Sequence, residues 1–141
     1  MPKIVIDANV IVSAMFGGTP RKAFLKALRT CDVYISPEIK LELSGLLDEL
    51  EDKVGRSGIR RLRSIFLNLL STSKEVVAGR KMELSRDKKD DAYLNLCLKV
   101  RADYLLTGDK DLLEISPKKL KPSGLNRLKI VSPEVFLSES K

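Results

Sequence analysis

Apolar positions along the chain alternate between short β-branched runs and longer stretches with a helical period. Lys3 to Ile6 is a run of the first kind, ending at Asp7, and predicts a buried strand whose last residue emerges at its carboxyl end. Gly17, Gly18, Thr19 and Pro20 then break the chain. Arg21 to Arg29 carries Ala23, Phe24, Ala27 and Leu28 on one helical side, and Val33 to Ser36 reads as a second strand. Strand, helix, strand predicts a parallel crossover.

Ser36 and Pro37 form a helix start, with Ser as N-cap and Pro at the first helical position. The helix is expected to run to about Glu51, burying Ile39, Leu43, Leu46, Leu47 and Leu50. Glu42 falls at the rim of that stripe, while Glu38 and Glu49 point further out. Gly55 to Gly58 separates it from a second helix, Ile59 to Leu70, whose apolar face of Leu62, Ile65, Phe66, Leu69 and Leu70 is bordered by Arg60, Arg61 and Arg63. That basic rim reads as a solvated face. A short strand is expected near Val76 and Val77, then a polar, charged stretch from Arg80 to Lys89.

An apolar helix should follow from Asp90 to Arg101. Asp90 lies three and seven residues before Tyr93 and Cys97 and so shares their buried side, whereas Asp91 stacks with Asn95 on what should be the polar side. Asp103 to Thr107 reads as the next strand, followed at once by Gly108, Asp109, Lys110 and Asp111. A basic loop is expected from Pro117 to Lys129, a last strand from Lys129 to Val131, and a short helix opened by Ser132 and Pro133. No domain boundary or internal repeat interrupts the 141 residues, and one domain is the expectation.

Composition narrows the chemistry. With 43% hydrophobic and 32% charged residues the chain patterns as a globular protein, and no apolar run is long enough to span a bilayer. The apolar stretch from Ile4 to Phe16 is interrupted by Asp7 and Asn9, unlike a secretory signal, so a cytoplasmic setting without membrane partners is expected. Cys31 and Cys97 are too sparse for a disulfide framework and read as reduced thiols. Histidine is absent, which excludes Ser/His and Cys/His nucleophilic pairs, His-ligated zinc and imidazole acid/base catalysis. A net charge of +7 fits a polyanionic partner.

In open α/β sheets ligands bind outside the carboxyl ends of the strands, where Asp7 and Asp109 are expected. Glu42 and Asp90 would join them from the first or second turn of two helices. Four acids without a histidine make a poor acid/base set but a good oxygen cage for Mg²⁺ or Mn²⁺, able to orient a phosphodiester and activate water. Taken one at a time, these acids have plain structural uses: Asp7 and Asp109 as loop caps, Glu42 on the surface, Asp90 favoured by a helix dipole. Only their joint placement points to a site.

Ile4-Val5-Ile6-Asp7-Ala8-Asn9-Val10 resembles the Asp-x-Asn opening of PIN domains, and Ser36-Pro37 through Glu42 resembles their second-acid helix. Arg86-Asp87 through Asp90, the helix to Arg101, and Ala102 through Leu113 resemble the third and fourth acid segments, and Ile130 through Leu137 fits the end of the domain. The resemblance implies a three-layer α/β/α fold around a central parallel sheet, Mg²⁺- or Mn²⁺-dependent ribonuclease activity, and kinship with VapC-like toxins of toxin–antitoxin pairs, which are typically homodimers silenced by a small antitoxin. It implies Asp7 and Asp90 as principal metal ligands, Glu42 and Asp109 as completing the acidic pocket, and Asn9, Thr107 and Asp111 as its support, with Asp91 and Asp87 in reserve. Ala8 stands where the family often has Thr or Ser. Arg21, Lys22, Lys88, Lys89, Lys110 and Lys118 are candidates to steer RNA phosphates.

Three rivals stand beside this reading. A phosphotransferase with Asp7 as nucleophile would want an acid where Asn9 stands. A PIN-like fold can also serve as a non-catalytic RNA-binding or assembly module. A housekeeping RNA-processing nuclease would share the site but lack an antitoxin.

Overall fold

The computed structural model describes residues 1–79 and 88–139, leaving aside the side chains of Lys88 and Lys89. Its core is a five-stranded sheet of β1 (Lys3–Ile6), β2 (Asp32–Ile35), β3 (Lys74–Glu75), β4 (Tyr104–Leu106) and β5 (Lys129–Val131), in the order β3-β2-β1-β4-β5. Every pairing is parallel, with Ile4 opposite Val33 on one side and Tyr104 on the other. Strands this short are buried on both faces, as shown by Ile4, Val5, Val33, Leu105 and Leu106, all within 2% of full burial.

The helices are α1 (Ala8–Ala14), α2 (Gly18–Thr30), α3 (Pro37–Thr72), α4 (Lys88–Val100), α5 (Lys110–Leu113), α6 (Pro117–Leu120) and α7 (Pro133–Ser138). Strand order runs outward from β1 in both directions, so right-handed crossovers place α1 to α3 on one face and α4 on the other. This is the three-layer α/β/α arrangement around a parallel sheet expected from the alternation of strands and helices. The reversal of strand order falls at β1 and β4, where the sheet opens a crevice at its carboxyl edge.

Several elements differ from the sequence-based expectation. The apolar stretch after Asp7 is helix α1, capped by the Asp7 side chain, which accepts from the Asn9 amide at 2.9 Å. The two helices expected on either side of Gly55 to Gly58 are one element, α3, bent at Gly55, whose φ of 69° and ψ of −174° suit glycine. Its cap is the predicted one, Ser36 Oγ accepting from the Ile39 amide. The third strand comes two residues early, at Lys74 and Glu75, and Val76 only adds its amide to the Ile35 carbonyl. The basic segment from Pro117 contains α6 and a turn of 3₁₀ helix, pinned by buried Leu120, Leu125 and Leu128.

Candidate active site

Asp7 leaves β1 where the main chain is still held in the sheet, its amide donating to the Leu106 carbonyl of β4 at 2.9 Å. Its carboxylate is 3% exposed and receives two hydrogen bonds, from the Asn9 amide to Oδ1 and from the Thr107 hydroxyl to Oδ2 at 2.7 Å. Thr107 Oγ1 in turn accepts from the Asp109 amide at 3.0 Å. A threonine at the end of β4 thus fixes the Asp7 carboxylate and the start of the Asp109 turn together. Asp109 caps α5, taking the Asp111 amide on Oδ1 at 2.8 Å. Burying a charged carboxylate is costly without such partners; here one donor is a backbone amide and the other the hydroxyl of a fully buried threonine.

Glu42 reaches the same place from α3. Its Oε1 accepts a 2.5 Å hydrogen bond from the Tyr93 hydroxyl of α4, and the same phenol oxygen accepts from the Ala8 amide at the start of α1 at 2.9 Å. Tyr93 therefore joins three elements at one oxygen. Its hydroxyl is pushed far above the ordinary phenol value of 10.0, first by burial, then by the nearby Asp7 charge and the hydrogen bond to Glu42. It remains a neutral donor at any physiological pH. Helical period alone places Tyr93 in the core and says nothing of this role; a buried tyrosine three residues after a candidate acid is the available signal, since its hydroxyl needs a partner.

Asp90 is 4% exposed, on the side of α4 that also carries Tyr93. Asp7, Asn9, Glu42, Asp90, Tyr93 and Asp109 all line one cleft of about 640 Å³, roofed by Leu41, Gly45 and Leu46 of α3. A second cleft, of about 590 Å³, shares Asp7, Asn9 and Asp109 and is closed on its far side by Ser132, Pro133 and Glu134 at the start of α7. Asp7, Asn9 and Asp109 form the wall between the two. Asp91 does not line either cleft, yet it and Asn95 are buried, at 7% and 4%, so the polar side of α4 that they share is covered. Asp87 lies outside the described residues.

Carboxylate oxygens of Asp90, Asp109 and Asp111 come within 4.8 Å of one another, close enough to share one cation. Asp111, expected only as support, thus stands with the acids, while Asp7 and Glu42 line the same cleft outside that tightest group. The donor set is entirely oxygen, which fits a hard divalent cation of the Mg²⁺ or Mn²⁺ type and not a thiolate or imidazole metal. Of the basic residues expected to steer phosphates, Arg21 is already engaged: Nε and Nη2 donate to the Ala14 and Met15 carbonyls at 2.9 and 2.6 Å, closing the end of α1. Lys22, Lys110 and Lys118 are exposed.

No curated protein matches the chain. Among solved structures, the fold is shared with the VapBC2 complex from Rickettsia felis bound to a DNA fragment from its promoter, at a TM-score of 0.56 and 12% identity, over 92% of this chain and 98% of the matched one. At that identity the likeness is one of fold. The PIN domain family matches residues 3–111, a span that contains β1 to β4 and every acid of the cleft, and the chain belongs to the PIN domain family.

Proposed function

We propose that this protein is a metal-dependent endoribonuclease that hydrolyses RNA phosphodiester bonds, and that it is the toxin of a toxin–antitoxin pair. The observation that carries the reading is the gathering of Asp7, Glu42, Asp90 and Asp109 in one cleft at the switch point of the sheet. Asp90 and Asp109 would hold Mg²⁺ or Mn²⁺ with Asp111, and Asp7 would complete the shell. Such a cation lowers the pKa of water and offsets charge on a phosphodiester undergoing in-line attack. The residues of the chain do the rest. Thr107 and the Asn9 amide hold the Asp7 carboxylate in one rotamer, Tyr93 orients Glu42, and the clefts on either side of the acids leave room for a strand continuing in both directions.

The fold shared with a chain of the VapBC2 complex supports a small antitoxin partner, while a homodimer and a cytoplasmic setting rest on the family resemblance alone. Among the described residues no helix is long and apolar enough to cross a membrane.

The test is cleavage of labelled single-stranded and structured RNAs with Mn²⁺ or Mg²⁺. Wild type is expected to cut, and Asp7→Asn and Asp90→Asn to lose at least about a hundredfold of that rate, with EDTA abolishing it. Direct Mn²⁺ titration by calorimetry should show weaker binding in Asp90→Asn. RNA bound but never cut would move the protein to the binding-module reading.

A further inference from the structure

The acid clefts pose a problem of affinity. Among the described residues neither is lined by a lysine or arginine, and both carry additional carboxylates, Glu38 and Glu49 on one side and Glu134 on the other. These described linings taken alone repel an RNA backbone before any cation is bound. Among the described residues, the positive charge of the lysines and arginines lies outside both linings.

One place where it is concave is a cleft of about 560 Å³ at the opposite edge of the sheet, where β4 and β5 begin. Lys99, Arg101 and Arg127 line it, with the Asn126 amide beside them and buried Leu125 and Leu128 below. Arg101 carries a second observation. It follows the last residue of α4 in the left-handed region at φ 57°, the only described non-glycine residue with positive φ. The Ala102 amide closes the helix end on the Cys97 carbonyl at 2.9 Å, a termination that normally places glycine at the position Arg101 occupies. Arginine there is conformationally unfavourable, and its guanidinium makes no hydrogen bond or ion pair among the described residues. Arg127 pairs with Asp103 at 3.2 Å, but its side chain is 69% exposed and available.

We propose that this cleft is a second RNA-binding site, in which Lys99, Arg101 and Arg127 hold backbone phosphates of a single strand whose other end lies over the acids. It rests on the nuclease reading for the identity of the ligand. From Ala102 to Thr107 the sheet spans roughly 16 Å at about 3.3 Å per residue, and because helices cover both of its faces a strand joining the two edges must pass around a helical layer, which calls for an RNA longer than that straight line. Three cations and an amide line the cleft with no carboxylate among its described lining residues, a charge pattern complementary to the phosphates of a nucleic-acid strand.

The test compares wild type with Arg101→Gly, Arg127→Gln and the double variant. Glycine relieves the left-handed backbone, so Arg101→Gly should melt no lower than wild type, which separates lost binding from lost folding. The first arm is anisotropy of a labelled single-stranded RNA of about 20 nucleotides in EDTA, over a salt series. The double variant should bind roughly five- to tenfold more weakly, with the slope of log K against log salt shallower by about 0.7 for each cation removed. Equal affinity and slope in all four proteins, or no RNA binding by wild type, overturns the site. Arg101-dependent binding of a polyglutamate peptide in place of RNA overturns it in favour of a protein partner. The second arm is cleavage of the same RNA with Mn²⁺, where KM should rise and kcat hold. Absence of cleavage by wild type with Arg101-dependent binding intact would remove the nuclease reading and leave the cleft standing.

Discussion

Tyr93 shows how much one hydroxyl can organise. Replacing it with Phe leaves the buried Ala8 amide without its acceptor and takes a donor from Glu42. We expect Tyr93→Phe to lower unfolding free energy by about 1–3 kcal/mol in urea titrations. The pH dependence has a definite sign. Because the folded hydroxyl titrates above its unfolded value of 10.0, its contribution is complete below pH 10 and declines above it, as the unfolded chain alone releases the proton. Wild-type stability should therefore fall above pH 10 more steeply than that of Tyr93→Phe, by up to about 1.4 kcal/mol per pH unit. Gly45 makes the opposite case. It lies inside α3, with nothing within 4 Å of the point a Cβ would occupy, so Gly45→Ala should add about 0.5–1 kcal/mol, while Gly45→Gln should fill the roof of the acid cleft and slow RNA cleavage. The placement of Asp7 and Asp109 was readable from sequence because both follow β-branched or apolar strands directly. The distinction between Asp90 and Asp91 was half readable: helical period put Asp90 beside Tyr93, but could not reveal that the side of α4 carrying Asp91 and Asn95 is also covered.

Caps and breakers announced most elements, and the exceptions share a cause. Ser36-Pro37 and Ser132-Pro133 start helices as predicted, each with the serine oxygen on the amide three residues on. Helix α1 was hidden because an apolar run so short has no period to read, and only tertiary burial of Val10, Ile11 and Ala14 decides it. Gly55 is an interruption, as its residue type suggests; what sequence could not supply is that the helix resumes after a single non-helical residue. Gly55→Ala meets no neighbour, yet must hold a conformation almost confined to glycine, and we expect a loss of about 1–3 kcal/mol read from the urea midpoint. At the other end of the chain, Lys26 is buried with its ammonium on the Phe136 and Glu139 carbonyls at 2.7 and 2.8 Å and over the Phe136 ring. Lys26→Met should free the end of α7 and cost a similar amount, visible as faster hydrogen exchange at the Phe136 amide. Since α7 begins with the wall of the second acid cleft, RNA cleavage should weaken as well.

At the scale of the molecule, charge and topology act at different ranges. Net charge was legible from composition alone, but its distribution was not: the acids lie at the carboxyl edge of the sheet, and a cluster of cations at its amino edge. RNA association should accordingly slow and weaken steeply with added salt, with the dissociation constant rising at least about tenfold between 50 and 200 mM. The parallel sheet was legible from the alternation of strand and helix, and its order was not, because nothing local tells β4 to pair with β1 rather than β3. That pairing also governs timing. During synthesis β1 emerges first and gains β2 on one flank, but its other edge stays open until Tyr104 to Leu106 leave the ribosome, with Thr107 and Asp109 directly behind. No nascent chain that stops short of Asp109 contains a complete acid pocket, so under the proposed activity a growing polypeptide would stay harmless to the messenger that encodes it until β4 and the turn after it had been made.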